Sequence, residues 1–139
     1  MRTLFENAKV GLVASPQLKD NGAATVTYID TKGWDHATFI LAAGAIDITL
    51  DAKVQECDTS GGSYADITGA AITQIAADGD DTVYAIEIKL AGRKRFLQPV
   101  ITAGDGSTGC YLAALVVLTR GEASPANAAG AGLAELIKV

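Results

Sequence analysis

The chain reads as an all-β protein, an antiparallel sandwich of two sheets and jelly-roll type, with about eight strands and an extended arm at each end. Three observations lead there. Nine consecutive residues, Ile46 to Val54, alternate apolar and polar without interruption, which is the period of a half-buried strand and of no helix. Further short β-rich stretches recur along the chain, separated by clusters of Gly, Asp, Ser and Thr. With 139 residues, 49% hydrophobic and 19% charged, the chain forms one domain long enough to enclose a core without disulfide or metal support.

Residues 1–23 mix Gly11, Pro16, Asn21 and Gly22 with scattered apolar positions, and they read as an N-terminal arm whose anchors are Val10, Leu12 and Val13. Residues 24–121 form the sandwich. Ala24 to Ile29 alternates around Val26 and Tyr28, a turn follows at Asp30–Gly33, and His36 to Ala42 is an apolar strand that Gly44 breaks. The long alternating strand runs from Ile46 towards Glu56. Asp58 to Ser63 is a turn-forming loop, so the strand from Tyr64 to Ile67 closes a hairpin. Ala71 to Ala76 reads as another short strand and Asp78–Asp81 as a turn. Thr82 to Leu90 alternates with Tyr84, Ile86, Ile88 and Leu90 on one side. Arg95 to Thr102 is strand-like but carries Pro99, which donates nothing to a ladder, so an edge or a bulge is expected there. Phe96, Leu97 and Pro99 are therefore a candidate dimer edge. Cys110 to Leu118 is apolar at every position, the mark of a strand covered on both faces. Residues 122–139 read as a flexible C-terminal arm with an apolar tip. Leu133, Leu136 and Ile137 fall at helical spacing, but seven residues cannot hold a helix in water. The tip needs a docking surface, on its own domain or on a neighbour.

Charge narrows the function. A net charge of −5 and a pI near 4.7 argue against a surface built to neutralise phosphates, so nucleic acid is not an expected partner. The start of the chain lacks an apolar signal core, and the nine residues from Cys110 to Leu118 are too few to cross a bilayer. No membrane partner is expected, and synthesis is expected in the cytoplasm. From Asp30 to Asp81 there are ten acidic residues against Lys32 and Lys53, whereas Lys89, Arg93, Lys94 and Arg95 fall within seven positions. Such a basic cluster is a solvated turn or an electrostatic contact for an acidic partner.

No catalytic, cofactor-binding or metal-binding residues stand out. The single histidine, His36, has no second His or Cys partner in the pattern. Cys57 and Cys110 are far apart, outside any C-x-x-C pair, and read as buried free thiols. The serines sit in Gly/Pro loops without a nucleophile elbow. Asp78, Asp80 and Asp81 resemble half of a calcium loop that lacks its closing Glu, which favours an acidic hairpin tip. Gly61-Gly62 and Gly104-Asp105-Gly106 lack the strand-to-helix context of phosphate cradles. Carboxylates converging in a cleft would mark a hydrolase, with few aromatics to stack on sugars. Trp34 and Tyr64, each beside a turn, read as lids on the sandwich or as partner contacts.

Three segments resemble a family. Lys53 to Ile67, through Gln55, Glu56, Asp58, Gly61, Tyr64 and Asp66, is similar to the K-x-Q-E-S-D-D-G-x-x-Y-x-D-V hairpin of small structural proteins encoded in tailed-phage head regions. Gly92-Arg93-Lys94-Arg95-Phe96-Leu97 through Ile101-Thr102, then Leu112 to Gly121, resembles their G-x-K-R-Y-V-R-V-x-L-T strand and the apolar strand after it. Gly33 to Phe39 is similar to their G-Y-D-S-A-T-V. The likeness spans residues 24–121, and it departs at Cys57, where Ser is usual, and at Gly61-Gly62, which lengthens the turn. It implies a capsid cement (decoration) protein of a tailed double-stranded DNA phage, a sandwich seated on the outer surface of the shell.

The expected function is therefore structural and not enzymatic. The chain would bind the major capsid protein of the assembled virion, as a homodimer, and cement adjacent capsomers. Its expected contacts are Val10, Leu12 and Val13 in the first arm, Arg93, Lys94 and Arg95 at the basic turn, and Leu133, Leu136, Ile137 and Val139 in the tail. A binding module of a phage tail or host-recognition structure is the alternative.

Overall fold

The computed structural model describes residues 3–120 and 133–139. After a 3-10 turn at Leu4–Glu6 come ten strands: β1 (Ala8–Lys19), β2 (Gly22–Ala23), β3 (Ile29–Asp30), β4 (His36–Ile46), β5 (Leu50–Cys57), β6 (Ala65–Ala71), β7 (Thr82–Lys89), β8 (Phe96–Ala103), β9 (Cys110–Thr119) and β10 (Glu135–Lys138). One sheet, called A here, has the order β1-β9-β4-β7-β10. The other, sheet B, has the order β2-β8-β5-β6, and β3 pairs with the far end of β8. Since β2 and β3 occupy one flank of β8, they act as one interrupted strand, and the chain then crosses between sheets in the jelly-roll manner at every connection except β5–β6 and β9–β10. Pairing is antiparallel throughout except between β10 and β7, which run parallel.

Inward positions of the two sheets form one core around Leu50, Val54, Ile88, Leu97, Ile101, Val116 and Leu118. The strict alternation from Ile46 to Val54 is kept in burial, with Ile46, Ile48, Leu50, Ala52 and Val54 all inside. It is not one strand, however. β4 ends at Ile46 in sheet A, and β5 begins at Leu50 in sheet B. The corner between them is pinned by the Asp47 carboxylate, which accepts from Thr108 N at 2.9 Å and Gly109 N at 2.8 Å. Those backbone donors hold its pKa below the ordinary carboxylate value. Gly44 does not break β4. It sits opposite Tyr111, whose Cβ would lie 3.3 Å from a side chain there.

The N-terminal residues correct a second expectation. Residues 8–19 are no arm but the edge strand of sheet A, and Val13, 1% exposed, belongs to the core. Two register shifts, between Leu12 and Ala14 and between Ala14 and Gln17, interrupt the alternation that would have revealed the strand. Of the expected strand 24–29 only Ile29 lies in a regular strand, β3. The preceding residues bridge the layers, Ala24 N donating to Ile101 O and Thr27 N to Val13 O. The Gln17 side chain supplies both ladder partners of Thr25, at 3.0 and 2.9 Å. The expected strand 71–76 is reduced to a single bridge, Ile75 to Leu50.

β8 is an interior strand, so the Pro99 segment is not a dimer edge. It pairs with β5 along its whole length and with β2 and β3 at its two ends, and Leu97 and Pro99 are buried. Ile101 turns its carbonyl to the β2/β3 flank to accept from Ala24 N. Pro99, two residues away, turns its nitrogen the same way, into the gap between those two short strands, where a missing N–H breaks no ladder bond. Cys57 and Cys110 are free and buried.

Gly109 opens β9 at a φ of +105°, and a Cβ there would collide with the Lys19 carbonyl. Gly109→Ala should therefore destabilise the fold by about 2 kcal/mol. A lowered urea midpoint with an unchanged slope is the expected reading.

Candidate partner-binding face

A sheet in a sandwich buries one face, and the other must meet water or a partner. The two outer faces of this molecule differ in chemistry. On β9, the buried Cys110, Leu112, Ala114, Val116 and Leu118 alternate with Tyr111, Ala113, Leu115 and Val117, which point outward. Sequence had placed this strand between two covering layers. Instead, Tyr111 is 53% and Leu115 39% exposed. Register extends the outer row across the whole sheet. Leu12 faces Leu115, Leu115 faces Ile40, Ile40 faces Ala85, and Ala85 faces Leu136. The row crosses five strands, about 19 Å at the usual strand spacing; it is open at Leu12 and Leu115, half-buried at Ile40 and Leu136, and buried at Ala85. Val10 and Val117 pair beside it, and Leu18 and Tyr111 lie toward the far end, where Gly44 and Ala42 leave a shallow trough. Val10, Leu12, Leu18, Tyr111 and Leu115 are the exposed large apolar side chains here. Charge enters this face at the end of the sheet, through Glu87, Lys89 and Lys138.

Sheet B spends its outer face on polar pairs. Lys53 Nζ donates to Asp66 at 2.9 Å and Gln55 Nε2 to the same carboxylate at 2.7 Å. Those two donors, Gln55 first, hold the Asp66 pKa below the ordinary range. Gln74 Nε2 donates to Asp51 at 2.9 Å. The basic turn is likewise answered within the chain. Arg93 lies 3.6 Å from Glu56, Lys94 3.6 Å from Asp58, and Lys94 N donates to Glu56 at 3.0 Å. Arg95 grips Asp30 with two parallel bonds of 2.8 and 2.7 Å and lies over the Phe96 ring. Of the residues that carry the family likeness, Lys53 and Gln55 meet Asp66, and Arg93 and Lys94 meet Glu56, while Arg95 turns to Asp30. The Glu56 contacts tie the β5–β6 hairpin to the turn before β8.

The tail residues dock on their own domain. Residues 133–139 place β10 beside β7, with Ile137 and Val139 packed against the core and Leu136 in the outer row. Leu133 is half-buried just before the strand. Expectations for residues 121–132 lie outside the described residues. Of the other candidates, Tyr64 donates to Ser60 O at 2.9 Å and closes its loop, and Trp34 stacks under Arg120 at 4.8 Å. Asp80 accepts from Ile46 N at 2.9 Å, which ties the acidic turn to the end of β4. Among the described residues no three of His, Cys, Asp or Glu converge as a metal set. Sequence reasoning named Val10 and Leu12 but missed Leu18, Tyr111 and Leu115; the signal was the unbroken apolar run of β9, read as doubly covered.

Comparison with models of known families gives no match, and no curated protein searched is similar in sequence. The likeness to phage cement proteins thus stands on its three segments alone.

The Asp30 carboxyl titrates at about 2, down from 3.8, chiefly because Arg95 donates to its charged form. A pKa lowered in the folded state gives stability that is present above the ordinary value and lost as pH falls towards 2. Both side chains are well exposed, so the contribution is about 1 kcal/mol or less. In urea titrations Asp30→Asn should be less stable than the parent at neutral pH, and the difference should shrink as pH drops below the ordinary carboxylate value and disappear once it has fallen through about 2.

Proposed function

We propose that the chain is a structural virion protein that binds the outer surface of an assembled phage capsid and cements adjacent capsomers. The exposed apolar side chains of β1 and β9 on sheet A, Val10, Leu12, Leu18, Tyr111 and Leu115, are the observation that carries this reading as far as a docking face. The jelly-roll order and the three family-like segments support the assignment of the partner as capsid protein. A chain of net charge −5 would be repelled by an acidic shell if it docked through its charged faces, and sheet A offers a face that avoids this cost. Arg93, Lys94 and Arg95 are already paired with carboxylates of their own chain, so the contact shifts from the basic turn to the apolar face. Cementing is mass action: a protein that recognises only the expanded lattice stabilises that state by its binding free energy.

Cosedimentation with purified, tailless expanded heads tests this. Leu12→Asp with Leu115→Asp, both at exposed positions, should keep the fold, checked by circular dichroism, and lower head affinity about a hundredfold. Arg93→Ala with Lys94→Ala should bind nearly as the parent does, and parental binding should persist towards about 1 M salt, where exposed charges are screened. Equal binding by the Leu12/Leu115 variant would overturn the docking face. A parent chain that ignores tailless heads but follows tails would favour the host-recognition alternative.

A further inference from the structure

β10 is held by contacts that would be the same whichever copy of the chain supplied it. Ala134 N donates to Val83 O at 2.7 Å, Val139 N to Glu87 O at 2.8 Å, and Lys89 N to Val139 O at 3.0 Å. The Glu135 carboxylate accepts from Thr73 N and Oγ1 at 3.0 and 2.9 Å. All these partners belong to β7 or to the β6–β7 connection, and none to β9, the strand that precedes β10 in the chain. No residue from 133 to 139 is fully buried, whereas β7 is buried from Ala85 to Ile88. β7 without a neighbour on that flank would offer an unpaired row of N–H and C=O groups, a template for any strand.

The connection is also longer than the cis route requires. β9 ends at Thr119, level with His36 and Lys89. β10 begins at Glu135, level with Tyr84, on the far side of β4 and β7. The gap is about 22 Å, from three strand spacings and five residues of rise. Sixteen peptide units separate Thr119 from Glu135, and these can span about 55 Å. The tail therefore has chain to spare for the β7 flank of an adjacent copy.

We propose that β10 is an exchangeable strand, which a second copy of this chain accepts on the Tyr84–Glu87 flank of β7, so that two copies associate by trading tails. The parallel ladder, the Glu135–Thr73 bonds and the seats of Ile137 and Val139 are all preserved in the exchanged form. Its balance is set by concentration. A tethered tail competes at an effective concentration in the millimolar range, so exchange gains when copies are crowded to about that level. The proposal does not depend on the capsid reading, and its test contains no capsid.

Glu87 and Lys138 are register partners. Chains carrying Glu87→Cys are mixed with chains carrying Lys138→Cys at concentrations from micromolar to about 1 mM and then oxidised. Expected are disulfides between chains that increase with concentration, and disulfides within the chain for the double variant when dilute. Should Glu87→Cys fail to fold, Ala85→Cys with Leu136→Cys, the register pair two residues earlier on the same face, replaces it. In parallel, sedimentation of the parent chain should show a dimer fraction that grows with concentration. Crosslinks confined to single chains at every concentration overturn the exchange. A dimer without crosslinks between chains overturns it too, and transfers self-association to the apolar face.

Discussion

Two packed sheets have four faces, and the sandwich can bury only two of them against each other. Everything distinctive here follows from how the chain treats the remaining pair. Because side chains alternate along every strand, the outer residues are fixed once the inner ones are chosen, and they are free to carry a separate message. On sheet B that message is charge, balanced locally by Lys53–Asp66, Arg93–Glu56, Lys94–Asp58 and Arg95–Asp30. On sheet A it is apolar, through Leu12, Leu115 and Ile40. Leaving such a row in water costs solubility, which is why contiguous apolar patches mark interaction sites.

The flanks of sheet A are handled differently from its face. β1 is guarded at one edge by Pro16, by two register shifts, and by Thr27, which takes the Val13 carbonyl. At the other edge β10 covers β7. These are the devices that keep sheets from adding strands indiscriminately. With its edges defended and part of its face open, sheet A offers side chains for contact and confines backbone pairing to one short strand.

Much of the fold was legible because the core positions obey the period of two. The hairpin between β5 and β6, the alternation of β7 and the all-β class follow directly from it. What escaped detection did so for physical reasons. β1 was hidden because bulges shift its phase, so that Val13 and Ala14 are both buried in succession. The corner at Asp47–Thr49 was hidden because a bend can preserve burial parity while moving the chain to the other sheet. Pro99 was misplaced because an interior strand can tolerate it where its neighbours on one flank are interrupted. For the candidate face, Val10 and Leu12 could be named from their apolar character, though not the strand that presents them. A run such as Cys110 to Leu118 looks the same whether its second face lies under another layer or awaits a partner. The ion pair of Asp30 with Arg95 joins residues far apart in the chain, and only the closed sandwich brings them together.

The tail and the face are not independent. Leu136, the fifth member of the apolar row, belongs to β10, while Ile137 on the same strand turns inward. With β10 undocked, the row would end at Ala85, and the carbonyls and amides of β7 would border it. A partner that binds the full row must then hold β10 in place. Linkage requires the converse to the same degree: whatever stabilises β10 on β7, from its own copy or another, strengthens binding at the face. The short strand thus closes an edge and also completes the surface next to it, so a single docking event controls both.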